Sequence, residues 1–240
     1  MNKLAWALAA LTLAACSQQT AEKKEAPAAP PAEKAAAPAA QNMAPAGPYT
    51  LDKTHASVTF RVNHLGMSRY TARFTEIDGK LNFDPANPSA MSVEASVNPA
   101  SIETDFPLDK PDFDKELAGP SWLDAGKFPT ITFKSTAVEL TGPNTAKVTG
   151  DFTLHGVTRP LVLDATFNGG YAANDIDPAG SRIGFSAQGK IKRSDFGVSM
   201  GIPAPGTNFG VGDEVEIFIE AEFTQPRAAG ATAPAAKPAP

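Results

Sequence analysis

One residue in 240 is cysteine. A lone cysteine excludes a disulfide within the chain and any multi-cysteine metal site. Histidine is nearly as scarce, at His55, His64 and His155. No His-x-His or His-Glu-x-x-His pattern supplies the three or four converging donors that zinc needs, so no metal site is expected. Cations do not outnumber anions: 21 Lys and Arg face 26 Asp and Glu, for a net charge of −5. A nucleic-acid reader would need a basic patch, and no nucleic-acid partner is expected. Gly-x-Ser-x-Gly is missing, and the glycines at 197, 201, 206, 210 and 212 precede no helical pattern. Neither a nucleophile elbow nor a phosphate cradle is therefore written into the chain. The sequence points to no enzyme, and no catalytic residue is assigned.

Long apolar runs are absent too. Residues 4–13 are apolar except for Thr12, too few for the roughly 20 residues that span a bilayer. After the positive start Met1-Asn2-Lys3 they read as an export signal covering residues 1–15. The signal ends in Leu13-Ala14-Ala15-Cys16, which resembles a bacterial lipobox. That resemblance implies a diacylglyceryl group on the Cys16 sulfur and acylation of the new amino terminus. Three acyl chains at about 0.8 kcal/mol per buried methylene would hold a protein on a membrane permanently. Ser17 in place of aspartate after the cysteine favours sorting to the outer membrane.

Residues 16–47 hold twelve alanines and five prolines, no aromatic residue, and Thr20 alone among β-branched residues. Such a stretch cannot bury enough apolar surface to order itself and is expected to be a tether. Residues 226–240, with seven alanines and four prolines, read as a second disordered tail. Between them lies one domain, 48–225. It carries all fourteen phenylalanines, 23 acidic and 15 basic side chains, and a net charge of −8.

Hydrophobicity there repeats every two residues. Val215, Ile217, Ile219, Ala221 and Phe223 alternate with glutamates and Phe218. Val58, Phe60 and Val62 alternate with Thr59, Arg61 and Asn63, and Met91, Val93, Ala95 and Val97 with Ser92, Glu94 and Ser96. Further strands are expected near 69–83, 130–140, 146–154, 160–168 and 182–193. One wet and one dry face means antiparallel pairing. About eight such strands in sequence mean an all-β sandwich or a closed barrel. On this reading His55 and His64, nine residues apart, face opposite ways. Residues 101–129 break the pattern with Pro107, Pro111, Pro120 and Pro129. Short helical turns are expected there, as a lid, a mouth or a plain connection. The abundance of phenylalanine, which offers area without a polar handle, suits either a solid core or a barrel lined to receive an apolar ligand.

The order of motifs breaks that tie. Tyr49-Thr50-Leu51-Asp52-Lys53-Thr54-His55, Val62-Asn63-His64-Leu65-Gly66, Phe128-Pro129-Thr130-Ile131, Gly150-Asp151-Phe152-Thr153-Leu154-His155-Gly156, Arg193-Ser194-Asp195-Phe196-Gly197-Val198 and Val211-Gly212-Asp213-Glu214 together resemble the YceI-like family across 48–225. Ala56 and Ala72 stand where serine and glycine are common in relatives. The resemblance implies an extended, lipocalin-like antiparallel barrel in an exported bacterial protein. It also implies an elongated apolar pocket for a polyisoprenoid, such as an isoprenoid quinone, or another long amphiphile. The inward residues expected to line it are Phe60, Val62, Phe74, Phe133, Phe152, Phe167, Phe185 and Ile217, with His64 placed for head-group contact. The expected protein is a periplasmic lipid carrier, tethered by Cys16 and needing no cofactor beyond that non-covalent ligand. Alternatives are a stress-response or structural envelope protein with a filled barrel, and a quinone-linked redox accessory. Association into a homodimer stays open.

Overall fold

The computed structural model describes residues 44–108 and 110–227. The signal, Cys16, most of the proposed tether and the tail beyond residue 227 lie outside the described residues. Among the described residues ten strands and one α-helix follow in order, besides three short 3-10 turns: β1 Gly47–His64, β2 Ser68–Phe74, β3 Ile77–Phe83, β4 Ser92–Val97, β5 Ile102–Glu103, α1 Phe113–Ala118, β6 Ile131–Leu140, β7 Thr145–Leu154, β8 Val157–Tyr171, β9 Ser181–Lys192 and β10 Val211–Gln225.

Every pairing is antiparallel, in the order β10-β9-β8-β7-β6-β4-β3-β1, and β10 pairs back onto β1. The ring of eight strands closes, which removes the free edges that an open sheet would expose. Alternation then assigns the faces: Val58, Phe60 and Val62 of β1 and Val215, Ile217 and Ile219 of β10 point inward, while Arg61 lies over the outward Phe218 ring. The β7–β8 hairpin turns on His155 and Gly156, both at positive φ, the two-residue geometry that matches strand twist. In β7, Gly150 leaves room for the Phe133 ring: a Cβ there would stand 2.5 Å from Phe133 Cζ.

Two departures from sequence expectation have local causes. The strand expected over 69–83 breaks at Thr75-Glu76. Ser101 binds there instead of a strand partner, its carbonyl accepting from Thr75 N and its hydroxyl from Glu76 N. The earlier half, β2, then pairs with the last half of β1, and β3 with its first residues. β1 itself bulges at residues 52–55, three residues longer than the facing β10 between Leu51 and Ala56. Bulges of this kind bend and re-aim a strand.

The tether boundary expected at residue 47 is set too late. Ala44 is buried in a cluster with Tyr49, Leu81, Phe83, Ile183, Ala221 and Phe223. The Tyr49 hydroxyl donates to the Pro45 carbonyl at 2.8 Å. At the other terminus Arg227, assigned to the tail, donates to the Asn174 carbonyl at 2.6 Å. Alanine and proline carry no periodic signal, so sequence pattern cannot find such contacts. Trimming the chain to 48–225 should therefore cost stability that trimming to 44–227 does not. Two lost hydrogen bonds and one unburied methyl amount to about 3 kcal/mol, or about 6–12 °C in a domain this size. Thermal unfolding of the two fragments measures it, and equal midpoints would show that Ala44 and Pro45 pack without consequence.

Candidate ligand cavity

The barrel is hollow. A cavity of about 990 Å³ runs its length, from Phe106, Phe113 and Trp122 at one end to Met91, Leu140 and Pro143 at the other. All eight residues expected to line a pocket, Phe60, Val62, Phe74, Phe133, Phe152, Phe167, Phe185 and Ile217, stand on its wall. They do not play equal parts. Phe133 and Phe152 are buried with Ile131, Leu154, Leu161, Leu163 and Phe196. Phe167 lies 5.4 Å from Phe185 and 5.8 Å from Phe83, ring centre to ring centre. Phe60 and Phe74, 5.6 Å apart, are only half-buried. His64 lines the cavity yet is exposed, so the space reaches the surface beside it.

The 101–129 segment caps that end. Asp112 accepts from Lys115 N to start α1, and Asp114 binds Thr104 through both its amide and its hydroxyl. The Tyr70 hydroxyl donates to the Thr104 carbonyl, and the Phe113 ring meets Tyr70 edge-on at 6.3 Å. Phe113, Leu117, Trp122 and Leu123 thereby form an apolar roof. Of the lid, mouth and connection readings, a covering element at one barrel end describes the segment.

Sequence reasoning missed Arg193. Inward positions of β9 run Ile183, Phe185, Ala187 and Ile191, and the same parity carries Arg193 inside, where it is 5% exposed. Among the described residues no carboxylate contacts it directly. Its Nε donates to Gly212 O at 2.8 Å, Nη1 to Met200 O at 2.8 Å and Val198 O at 3.1 Å, and Nη2 to Val211 O at 2.6 Å. The guanidinium lies 5.5 Å from the Trp122 ring centre. Burial pulls its pKa below the ordinary arginine value, an effect opposed by Asp213. One side chain thus ties loop 198–212 to the end of β9 and lines the cavity beneath it.

The second charged cluster lies outside the barrel, on the β1 bulge. Asp52, His55 and Glu222 bring their donor atoms within 4.8 Å of one another, a spacing that could suit a cation. Arg182 Nη1 already occupies that position, 2.7 Å from Asp52 and 2.6 Å from Glu222, while its Nε binds Asp177 at 2.8 Å. The Thr54 hydroxyl, then His55 and Arg182, hold the Asp52 carboxyl far below its usual range. Arg182, with Tyr171 and the Ala179 amide, lowers Asp177 to about 2. A depressed carboxylate pKa stabilises the fold above the unfolded value near 4 and ceases to do so as pH falls through the folded value. Arg182→Met should lower the thermal midpoint by several degrees at pH 7, where three carboxylates lose their shared cation. The gap to wild type should close between pH 4 and pH 2, which melting curves in that window test. A gap independent of pH would mean that Arg182 acts through packing alone.

His155 is structural. Its Nδ1–H donates to Phe196 O at 3.1 Å, and its ring lies 4.4 Å from Phe128. His55 faces outward onto Arg182 and His64 lines the cavity, so the three histidines do not converge.

A family model described as the YceI-like domain matches residues 49–223. The chain belongs to the YceI-like family. Among curated relatives, a UPF0312 protein of Pseudomonas fluorescens is 40% identical over 185 residues, covering 74% of this chain and 86% of the relative. One from Vibrio cholerae is 38% identical over 157 residues, covering 65% and 79%. Among solved structures, the YceI protein of Campylobacter jejuni has a TM-score of 0.55 at 32% identity, over 75% of this chain and 98% of its own. Burkholderia cenocepacia BcnA has a TM-score of 0.59 at 26% identity, over 72% and 98%. A domain from Saccharophagus degradans described as polyisoprenoid binding shares the fold, with a TM-score of 0.53 at 14% identity over 74% and 98%.

Proposed function

We propose that this protein binds a polyisoprenoid or similar long-chain amphiphile inside the barrel and carries it beside a membrane. The observation that supports this most is the continuous apolar cavity of about 990 Å³, at the top of the 300–1,000 Å³ range of small-molecule sites. A filled barrel would need side chains in that space. A tail buried there gains about 25 cal/mol per Å² of apolar surface before ordering costs. The Saccharophagus domain, described as binding polyisoprenoid, supports the same ligand class through its fold. Polar groups are few against the apolar side chains of the wall; His64, Tyr70 and Arg193 stand near one end and Ser92, Asn144 and Thr145 near the other, so a long tail would meet mostly hydrocarbon. The role is retention rather than conversion of the ligand. The lipobox at Cys16 supports a periplasmic carrier held on the outer membrane by its acylated amino terminus.

Organic extraction of purified protein, followed by mass spectrometry, tests the ligand. A prenyl or long acyl chain in roughly equimolar amount is the expected result, and its absence from protein re-exposed to lipid would end the carrier reading. The intact mass of the same preparation tests the anchor. Wild type should carry added acyl mass on a chain beginning at Cys16, and Cys16→Ala should carry none.

A further inference from the structure

The cavity end beside His64 has an unusual rim. Two adjoining segments form its part next to His64, joined where Leu65 N donates to Gly210 O at 2.8 Å, the second segment closed on itself where Val211 N donates to Gly201 O at 2.7 Å. In a domain of net charge −8, residues 62–68 and 198–212 contain no Asp, Glu, Lys or Arg. Large apolar side chains stand out from this uncharged surface: Met67 is 82% exposed, Phe209 84% and Met200 47%. Exposed apolar side chains grouped around a cavity mouth have a purpose other than packing. Each protrudes from a segment that also lines the cavity, through His64, Val198 and Val211.

We propose that this rim docks on a lipid bilayer, with Met67, Met200 and Phe209 entering the interface and the mouth beside His64 facing the acyl chains. The proposal rests on the carrier reading above, because an apolar ligand passing between bilayer and cavity avoids water only if the mouth meets the membrane. The charge pattern favours a bilayer over an acidic or basic protein partner. Inserting these loops desolvates no formal charge, whereas a side-on approach presses the charged outer wall of β9 and β10 onto the surface. The chain beyond the described residues permits this orientation. Ala44 packs at the opposite barrel end, but 27 residues separate it from Cys16, enough for about 90 Å when extended. That reach exceeds the roughly 50 Å contour of a fifteen-residue strand such as β10.

Two single-tryptophan additions in the mature chain test the proposal, each read as a difference from wild type so that Trp122 cancels. Phe209→Trp places the reporter on the rim. Ile176→Trp places it at the opposite end, on a side chain 94% exposed. With vesicles of phosphatidylcholine brominated on one acyl chain, the Phe209→Trp signal should shift to the blue and lose most of its intensity, while Ile176→Trp should not change. Equal quenching at both ends, or none at Phe209→Trp, overturns the proposal. A blue shift without vesicles, accompanied by a dimeric mass, assigns the rim to a second copy of the chain and also overturns it. Rim quenching in protein that extracts no lipid would leave docking intact and remove the carrier reading. Lipid bound without rim quenching would do the reverse.

Discussion

Arg193→Met should lower the thermal midpoint by on the order of 10 °C, since about 3–5 kcal/mol is expected when a buried charged donor is removed from a domain this size. Methionine fills much of the same volume but donates nothing. The carbonyls of Val198, Met200, Val211 and Gly212, now bonded to one guanidinium, would have to find water in a covered site or open the loop to reach it. Arg193→Lys should fall between. An ammonium keeps the charge and three donors, but it cannot reproduce the fork that reaches four carbonyls in different directions. The loss should also be local before it is global. Hydrogen exchange in Arg193→Met should accelerate at the amide of Val211, which donates to Gly201 O, before it does in β6 or β7. If the variant melts within about 2 °C of wild type, less than 1 kcal/mol for a domain of this size, the four bonds are replaceable and the loop is held by other contacts.

Arg193 also shows how far the sequence could be read. The period-two pattern marks the walls because a barrel strand has only two faces and one of them must be apolar. Val215 to Phe223 and Ile183 to Ile191 could be placed inward without coordinates. Extending that parity by two residues would have put Arg193 inside, but a charged residue there reads as the end of the strand. Its compensation comes from loop carbonyls, which have no sequence signature. The β1 bulge was hidden for a related reason. Asp52, Thr54 and His55 look like an alternating strand, and only the distant partners Asp177, Arg182 and Glu222 reveal a cation holding an outward loop. The split of 69–83 into β2 and β3 depends on Ser101, more than twenty residues away. Ala44 packs through a methyl group that composition assigned to a tether. The rim lacks periodicity altogether. Its meaning lies in what is missing, formal charge, and in the neighbourhood of two loops that are far apart in sequence.

The six inward phenylalanines should separate by what each ring touches. Phe133 and Phe152 have protein on nearly every side: Phe133 lies over Gly150, and Phe152 meets Phe196 edge-on at 5.4 Å. Cutting either to alanine should destabilise the lipid-free barrel by about 3–5 kcal/mol, through lost burial and an unfilled void. Phe167 and Phe185 share their contacts with Phe83 and Phe223 and should cost somewhat less. Phe60 and Phe74 touch each other but remain half-buried beside empty space. Their alanine variants should cost the lipid-free barrel least and reduce lipid retention most. Phe→Asn at these two should reduce it further, by setting an unsatisfied amide against hydrocarbon. The opposite manipulation gives a second reading of the same space. Ala187 lines the cavity wall on β9, and Ala187→Phe adds a ring where a tail would run. Overpacking a solid core costs about 1–3 kcal/mol, whereas a ring entering a void of this size should cost little and still displace ligand. Urea unfolding of delipidated protein and the lipid recovered per barrel supply the two axes. If Ala187→Phe unfolds as an overpacked core does, and all six alanine variants lose full core stability with retention unchanged, the space is closed in solution and the carrier reading fails with it.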